Sequence, residues 1–165
     1  MKKILLVLLI LVVATTGIFS ARLNDRDALS VGLNLGTDVG VSTRYGYGDF
    51  DLITNIGLDV FTLEAIEIEV AGAYHVSTLE VGKADFPITV GLGASAGLDF
   101  KSAALDASVL VPIGIEYTFD DFPVTAFIRV APGVSVMKST AVNVGPDVKA
   151  YVGALWNFEK KGLFN

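Results

Sequence analysis

Apolar and polar residues take turns along nearly all of this chain after its first twenty positions. In FPITVGLGASAGLDF (residues 86–100), Phe86, Ile88, Val90, Leu92, Ala94, Ala96, Leu98 and Phe100 form one face. Thr89, Gly91, Gly93, Ser95, Gly97 and Asp99 form the other. Period two is the mark of a strand with unlike faces, and no long segment shows the 3.6-residue period of a helix. The alternation predicts eight strands, at 27–36, 39–48, 50–60, 66–77, 86–100, 105–119, 122–136 and 147–158. Most reach the 9–11 residues or so that a tilted strand needs to cross a bilayer. Pro112 and Pro132 interrupt the pattern; Pro112 cannot donate to a ladder and predicts a bulge.

Which face points outward decides the class of protein. A soluble sandwich or barrel buries its oily face and wets the other, which should then be rich in Lys, Glu and Thr. Here ten of the chain's 17 glycines fall on the non-oily face: Gly32, Gly40, Gly46, Gly57, Gly91, Gly93, Gly97, Gly114, Gly133 and Gly153. Glycine weakens a strand and offers water nothing. Turned over, the same pattern puts oil against lipid and the glycines inside a narrow ring where large side chains from eight strands could not all fit. Aromatic residues sort the same way. If both termini share one side, Tyr45, Tyr47, Phe50, Phe86, Tyr117, Phe119, Phe122, Trp156 and Phe158 gather at that rim, with Phe61 and Phe100 opposite.

The N-terminus adds a route. Lys2 and Lys3, the apolar run Ile4–Ala14 and the small residues up to Ser20 have the order of a secretory signal peptide, and the run is too short for a spanning helix. The organisation expected is a signal peptide at 1–20, a transmembrane β-barrel at 21–158 and a short tail at 159–165. Hydrophobic residues make up 52% of the chain and its mean hydropathy is +0.60. With 12 Lys plus Arg against 18 Asp plus Glu, loss of Lys2 and Lys3 leaves 10 against 18, a mature charge of −8. That balance disfavours nucleic acid as a partner. No cysteine is present, so disulfides, thiolate metal sites and a lipid-modified N-terminal Cys are excluded.

On these residues the chain resembles the small eight-stranded outer-membrane barrels of the outer membrane protein A, X and W kind, over most of its mature length. AYVGALWNF resembles the aromatic-ended last strand by which that family is recognised for insertion. The resemblance implies an all-β, antiparallel transmembrane barrel, residence in the bacterial outer membrane, lipid as surroundings, and insertion by the barrel assembly machinery. It also implies a monomer, and it implies no single activity. Two features depart from it: EKKGLFN follows Phe158, and the connections at 36–38, 61–65, 101–104 and 137–146 are short for an adhesive barrel.

The inner face also carries charge. Arg44 and Arg129 near mid-strand, with Glu69 and Glu116 as partners, predict an ion-pair network that plugs the interior, because buried opposite charges must pair or cost several kcal/mol each. His75, Lys149, Asp51, Asp59, Glu67 and Asp99 share that face. The sharpest enzymatic signal is His75-Val76-Ser77, since the lipid A deacylase family uses a His-x-Ser pair with a Glu. The register puts both side chains on one inward face, but Thr78 stands where that family has Asn, and the pair sits at the wrong end. Glu67 and Glu69 are the nearest thing to a metal pair; with one His in the chain they are better matched to arginine. GLGASAG lacks the helix that would give its glycines phosphate-binding meaning. The expected role is therefore structural or surface interaction, non-enzymatic and without a cofactor. A narrow channel for ions or small solutes is the alternative, and a deacylase-like hydrolase a distant third.

Overall fold

The computed structural model describes residues 29–61, 63–138 and 142–158. The expected signal segment 1–20, residues 27–28 and the tail 159–165 lie outside them. Alternation is realised as strand almost everywhere: β1 (Leu29–Gly36), β2 (Asp38–Tyr47), β3 (Phe50–Asp59), β4 (Ala65–Val81), β5 (Ala84–Asp99), β6 (Leu105–Leu110), β7 (Ile113–Thr118), β8 (Val124–Lys138) and β9 (Val142–Phe158). Every neighbour is antiparallel, β9 pairs with β1, and β4 pairs with β5, so the sheet closes on itself. β6 and β7 both lie between β5 and β8 and are two halves of one wall position, giving a ring of eight.

The break between those halves falls at Val111–Pro112, where the proline has no N–H for the ladder. Bonding carries on around it, since Val111 N donates to Pro132 O (2.8 Å) and Gly91 N to Pro112 O (2.8 Å). Expected boundaries move most at two turns. β4 and β5 run on past residues 77 and 86 to a turn at Gly82–Lys83, where Gly82 takes φ 68°, a left-handed conformation that favours glycine. β9 begins at Val142 instead of 147. Gly145-Pro146-Asp147 suggests a loop, yet Val142, Val144 and Val148 keep the outward alternation, and Pro146 pairs with Val134 inside the β8–β9 ladder.

Register fixes the shape of the ring. Stepping across the pairs from Gly153 to Asn34, Gly40, Gly57, Glu67, Gly97, Asp106, Met137 and back to β9 arrives at Asn143, ten positions from the start (153 against 143). Ten residues of rise are about 33 Å, set against a perimeter of eight strand spacings, about 38 Å, so the strands lean about 40° from the ring axis.

Burial follows the two faces with the sign that the glycines suggest. Outward side chains at mid-height are open: Leu92 is 65% exposed and Val109 59%. Inward Arg129 and Glu69 are each 1% exposed, and Ser30 and Ser42 are fully covered. The interior is filled by side chains. Ile53 packs with Ala71 and Ala73, Phe127 with Tyr151 and Leu155, and Leu110 is buried nearby. Gly153 shows why small residues are needed: a Cβ there would stand 2.6 Å from the Phe127 ring.

Candidate functional site: the charged interior

β1, β2, β7, β8 and β9 bring one cluster together toward the rim that carries Leu29 and Phe158. Arg44 Nη1 is ion-paired with Glu116 Oε2, and Arg129 Nη2 stands 3.8 Å from Glu116 Oε1. Arg44 Nη2 also donates to Ser30 Oγ and Asn157 Oδ1, each at 3.4 Å. Ser30 Oγ donates to Asn157 Oδ1 (2.7 Å), Asn157 Nδ2 donates to Thr125 Oγ1 (2.9 Å), and the hydroxyls of Thr118 and Thr125 are 2.8 Å apart. Arg129 lies over the Phe127 ring, 4.9 Å from its centroid, a cation–π contact sheltered from water. Gly114 leaves room for Thr89: a Cβ there would be 2.8 Å from its Oγ1.

Toward the far rim a second cluster forms around β9. Lys149 Nζ is 2.5 Å from Glu67 Oε2 and 3.9 Å from Asp147 Oδ2; Ser108 Oγ donates to Asp147 at 2.7 Å. Tyr151 Oη stands between two carboxylates, 2.8 Å from Glu69 Oε2 and 3.1 Å from Asp38 Oδ2. Of the four residues expected to interact, the structure thus assembles Arg44, Glu116 and Arg129, while Glu69 joins Tyr151. Sequence reading missed Asp38, which the turn-like GTD at 36–38 hides. It also missed the polar chain through Ser30, Thr118, Thr125 and Asn157. Their inward register was the available signal; which strands meet across the ring was not.

A cavity of about 220 Å³ opens at the Leu29 and Phe158 rim. Arg44 and Glu116 line it, with Asp49 and Asp51 from the β2–β3 end and Asp85 and Asp120 from the other two turns. His75 and Thr78 line it too, but Ser77 is elsewhere. The register shifts between His75 and Ser77, leaving Val76 as an extra residue, and Ser77 then pairs with outward Ile88. Thr78 Oγ1 is the hydroxyl beside His75, 3.3 Å from Nε2. The expectation that His75 and Ser77 share an inward face is therefore corrected: a bulge flips the second residue to the other side.

Among the described residues no group of three or more His, Cys, Asp or Glu is arranged to hold a metal ion, and no helix is long and apolar enough to cross a membrane. No protein-family model, curated protein or solved structure matches the chain.

Proposed function

We propose that this chain is an integral outer-membrane β-barrel of the small A, X and W kind, exported by its N-terminal segment, inserted by the barrel assembly machinery, and structural or surface-interacting rather than enzymatic. One observation carries the reading: the ring is oily outside and charged inside. Such a surface far exceeds the few hundred Å² of apolar patch that monomers in water usually show. In lipid it is the stable arrangement, because closure satisfies the backbone and the apolar side chains meet acyl tails.

Dimensions and aromatics agree with a bilayer. At a lean of about 40°, each residue advances about 2.5 Å along the axis, so ten residues cover the apolar band of about 25 Å. Phe86, Tyr117, Phe119 and Phe122 form a chain of ring contacts at one rim, with centroids 5.2, 4.9 and 4.7 Å apart in sequence. Tyr47 and Tyr74 stand open on that rim. Such a belt suits the headgroup level of a membrane.

The interior supports a closed barrel. The rim cavity stops at the Arg44–Glu116 pair, and Phe127, Tyr151, Leu155, Ile53 and Leu110 fill much of the space beyond. The short crossings at Gly36–Asp38, Asp59–Ala65 and Asp99–Leu105 offer little surface for adhesion, which favours the structural side of the role. A hydrolase of the deacylase type would need its serine beside His75, and Ser77 faces away.

The test is refolding of the mature chain into planar bilayers, with single-channel recording. A chain that partitions into lipid and stays electrically silent supports the reading; steady conductance would move it to the narrow channel. A monodisperse chain that needs no detergent would end the membrane assignment. In a folded bilayer population, Leu92→Arg should cost about 2–4 kcal/mol, the penalty for a cation near mid-membrane.

A further inference from the structure

Tyr151 has one hydroxyl hydrogen and two carboxylate neighbours. Its oxygen is 2.8 Å from Glu69 Oε2 and 3.1 Å from Asp38 Oδ2, and all three side chains are buried, with exposures of 2%, 1% and 4% for Tyr151, Glu69 and Asp38. A phenol donates once. Donation to Glu69, the shorter contact, leaves Asp38 Oδ2 against the phenol's lone pairs, and two oxygens at that distance without a hydrogen between them repel. Cations do not resolve the conflict. Lys149 Nζ is engaged by Glu67, the Arg129 guanidinium lies nearest Glu116, and among the described residues no lysine or arginine nitrogen comes within ion-pair distance of Asp38 or Glu69. The Asn55 side chain faces Glu69, but neither Glu69 Oε1 nor Asn55 Nδ2 has a partner at full hydrogen-bond geometry.

We propose that Asp38, Tyr151 and Glu69 form a proton-binding site. Asp38 is a neutral carboxylic acid that donates to Tyr151 Oη, and Tyr151 donates to the Glu69 carboxylate. The trio then carries one negative charge where two would otherwise sit in a cramped, dry interior. The charged groups facing it come from every side. Glu67 on β4, Asp59 on β3 and Lys149 on β9 face Asp38. Arg129 on β8 and Glu67 face Glu69, with Asn55 opposite it across the β3–β4 ladder. Asp106 on β6 and Asp147 on β9 add negative charge around Lys149. Asn34 Nδ2 reaches only the Asp38 backbone carbonyl, at 3.4 Å.

The folded ring therefore keeps a proton that an unfolded Asp38, free in water, gives up at about pH 4. Where the folded state binds one proton more, the folding equilibrium constant falls up to tenfold for each unit rise in pH. The site does not depend on lipid, because its donors and acceptors are counted inside the ring.

Infrared difference spectroscopy on the mature chain refolded in detergent, with H/D exchange at about pH 5, where an Asp free in water is already ionised, reads the site directly. The wild-type chain should show the C=O stretch of a neutral carboxylic acid, Asp38→Asn should lose it, and Glu67→Gln should keep it. Asparagine supplies an N–H to Tyr151 Oη and so mimics the protonated acid. Its unfolding free energy, followed against pH, should lose up to one proton's worth of slope relative to wild type. If Asp38→Asn does not fold, Tyr151→Phe should displace or abolish the same band. A wild-type spectrum without the band, or a band and slope unmoved by Asp38→Asn, overturns the proposal, as does a band unmoved by Tyr151→Phe.

Discussion

The two ends of the interior solve the problem of buried charge in opposite ways. Toward the Leu29 and Phe158 rim, two arginines share one glutamate, and the neighbouring hydroxyls and amide are hydrogen-bonded in series. Toward the far rim one lysine serves Glu67 and Asp147, with Asp38, Glu69 and Asp106 close by. A surplus of arginine cannot be relieved by titration, because guanidinium keeps its proton. A surplus of carboxylate can, by taking protons up. The first end must therefore be held by geometry, whereas the second can be held by proton exchange.

Removing the shared acid breaks the first end most severely. Glu116→Ala leaves Arg44 and Arg129 without the carboxylate that they share. The expected loss is about 3–5 kcal/mol of unfolding free energy, and it should persist across pH because neither guanidinium can discharge. Denaturant unfolding in detergent or bilayers, repeated at several pH values, reads it. Glu116→Gln keeps the shape and part of the hydrogen bonding and should lie between the variant and wild type.

Lys149→Met makes the matching change at the far end and should cost less, about 2 kcal/mol at neutral pH. The methionine fills most of the space, and a carboxylate, unlike a guanidinium, can be protonated. The deficit should shrink as the pH is lowered. A loss as large as that of Glu116→Ala and equally insensitive to pH would erase the distinction between the two ends.

Two inward glycines differ in the room beside them. Gly153→Ala would drive a Cβ into the Leu33 carbonyl oxygen and to 2.6 Å from Phe127, whose ring is hemmed in by Arg129, and should cost about 1–3 kcal/mol by overpacking. At Gly97, beside Asp106 and Glu67, the nearest atom to a new Cβ is Ile66 O at 3.7 Å, an ordinary contact. Gly97→Ala should be close to neutral, within about 0.5 kcal/mol. Equal effects at the two sites would mean that the room beside these glycines does not decide the cost.

Much of this was legible in the sequence because period two leaves only one choice per strand. Once the glycines assign the inward face, Arg44, Glu116 and Arg129 must point into the ring, and the strand limits come within a few residues. What alternation cannot supply is the lateral register. Whether Glu69 reaches Arg129 or Tyr151 depends on the ten-residue offset around the ring, which emerges only when all eight wall positions are paired. The bulge at Val76 was hidden for a related reason: one extra residue changes nothing in composition but reverses the face of everything after it, Ser77 and Thr78 first. Asp38 was obscured because a short GTD reads as turn, although its side chain continues the inward row of β2.

The smallest effect belongs to an acid of the far end that lies outside the interior, and it isolates what burial does to Asp38. Asp99 closes β5 at the rim, and its Oδ1 accepts from the backbone N–H groups of Lys101 and Ser102, each at 2.8 Å. The Ser102 amide, then that of Lys101, hold its carboxyl below the usual carboxylate range. Donors without burial thus favour the charged form, while Asp38 has burial and only a shared phenol. The sign of the linkage is opposite: what Asp99 contributes is present above its unfolded value and is lost as pH falls through the lower folded one. Asp99→Asn should leave global unfolding at neutral pH unchanged and should speed hydrogen exchange at the Lys101 and Ser102 amides. Acidification of the wild-type chain should reproduce that local loosening while the proton-holding end gains stability, so a turn and an interior that respond to acid in the same direction would remove the contrast between donors and burial.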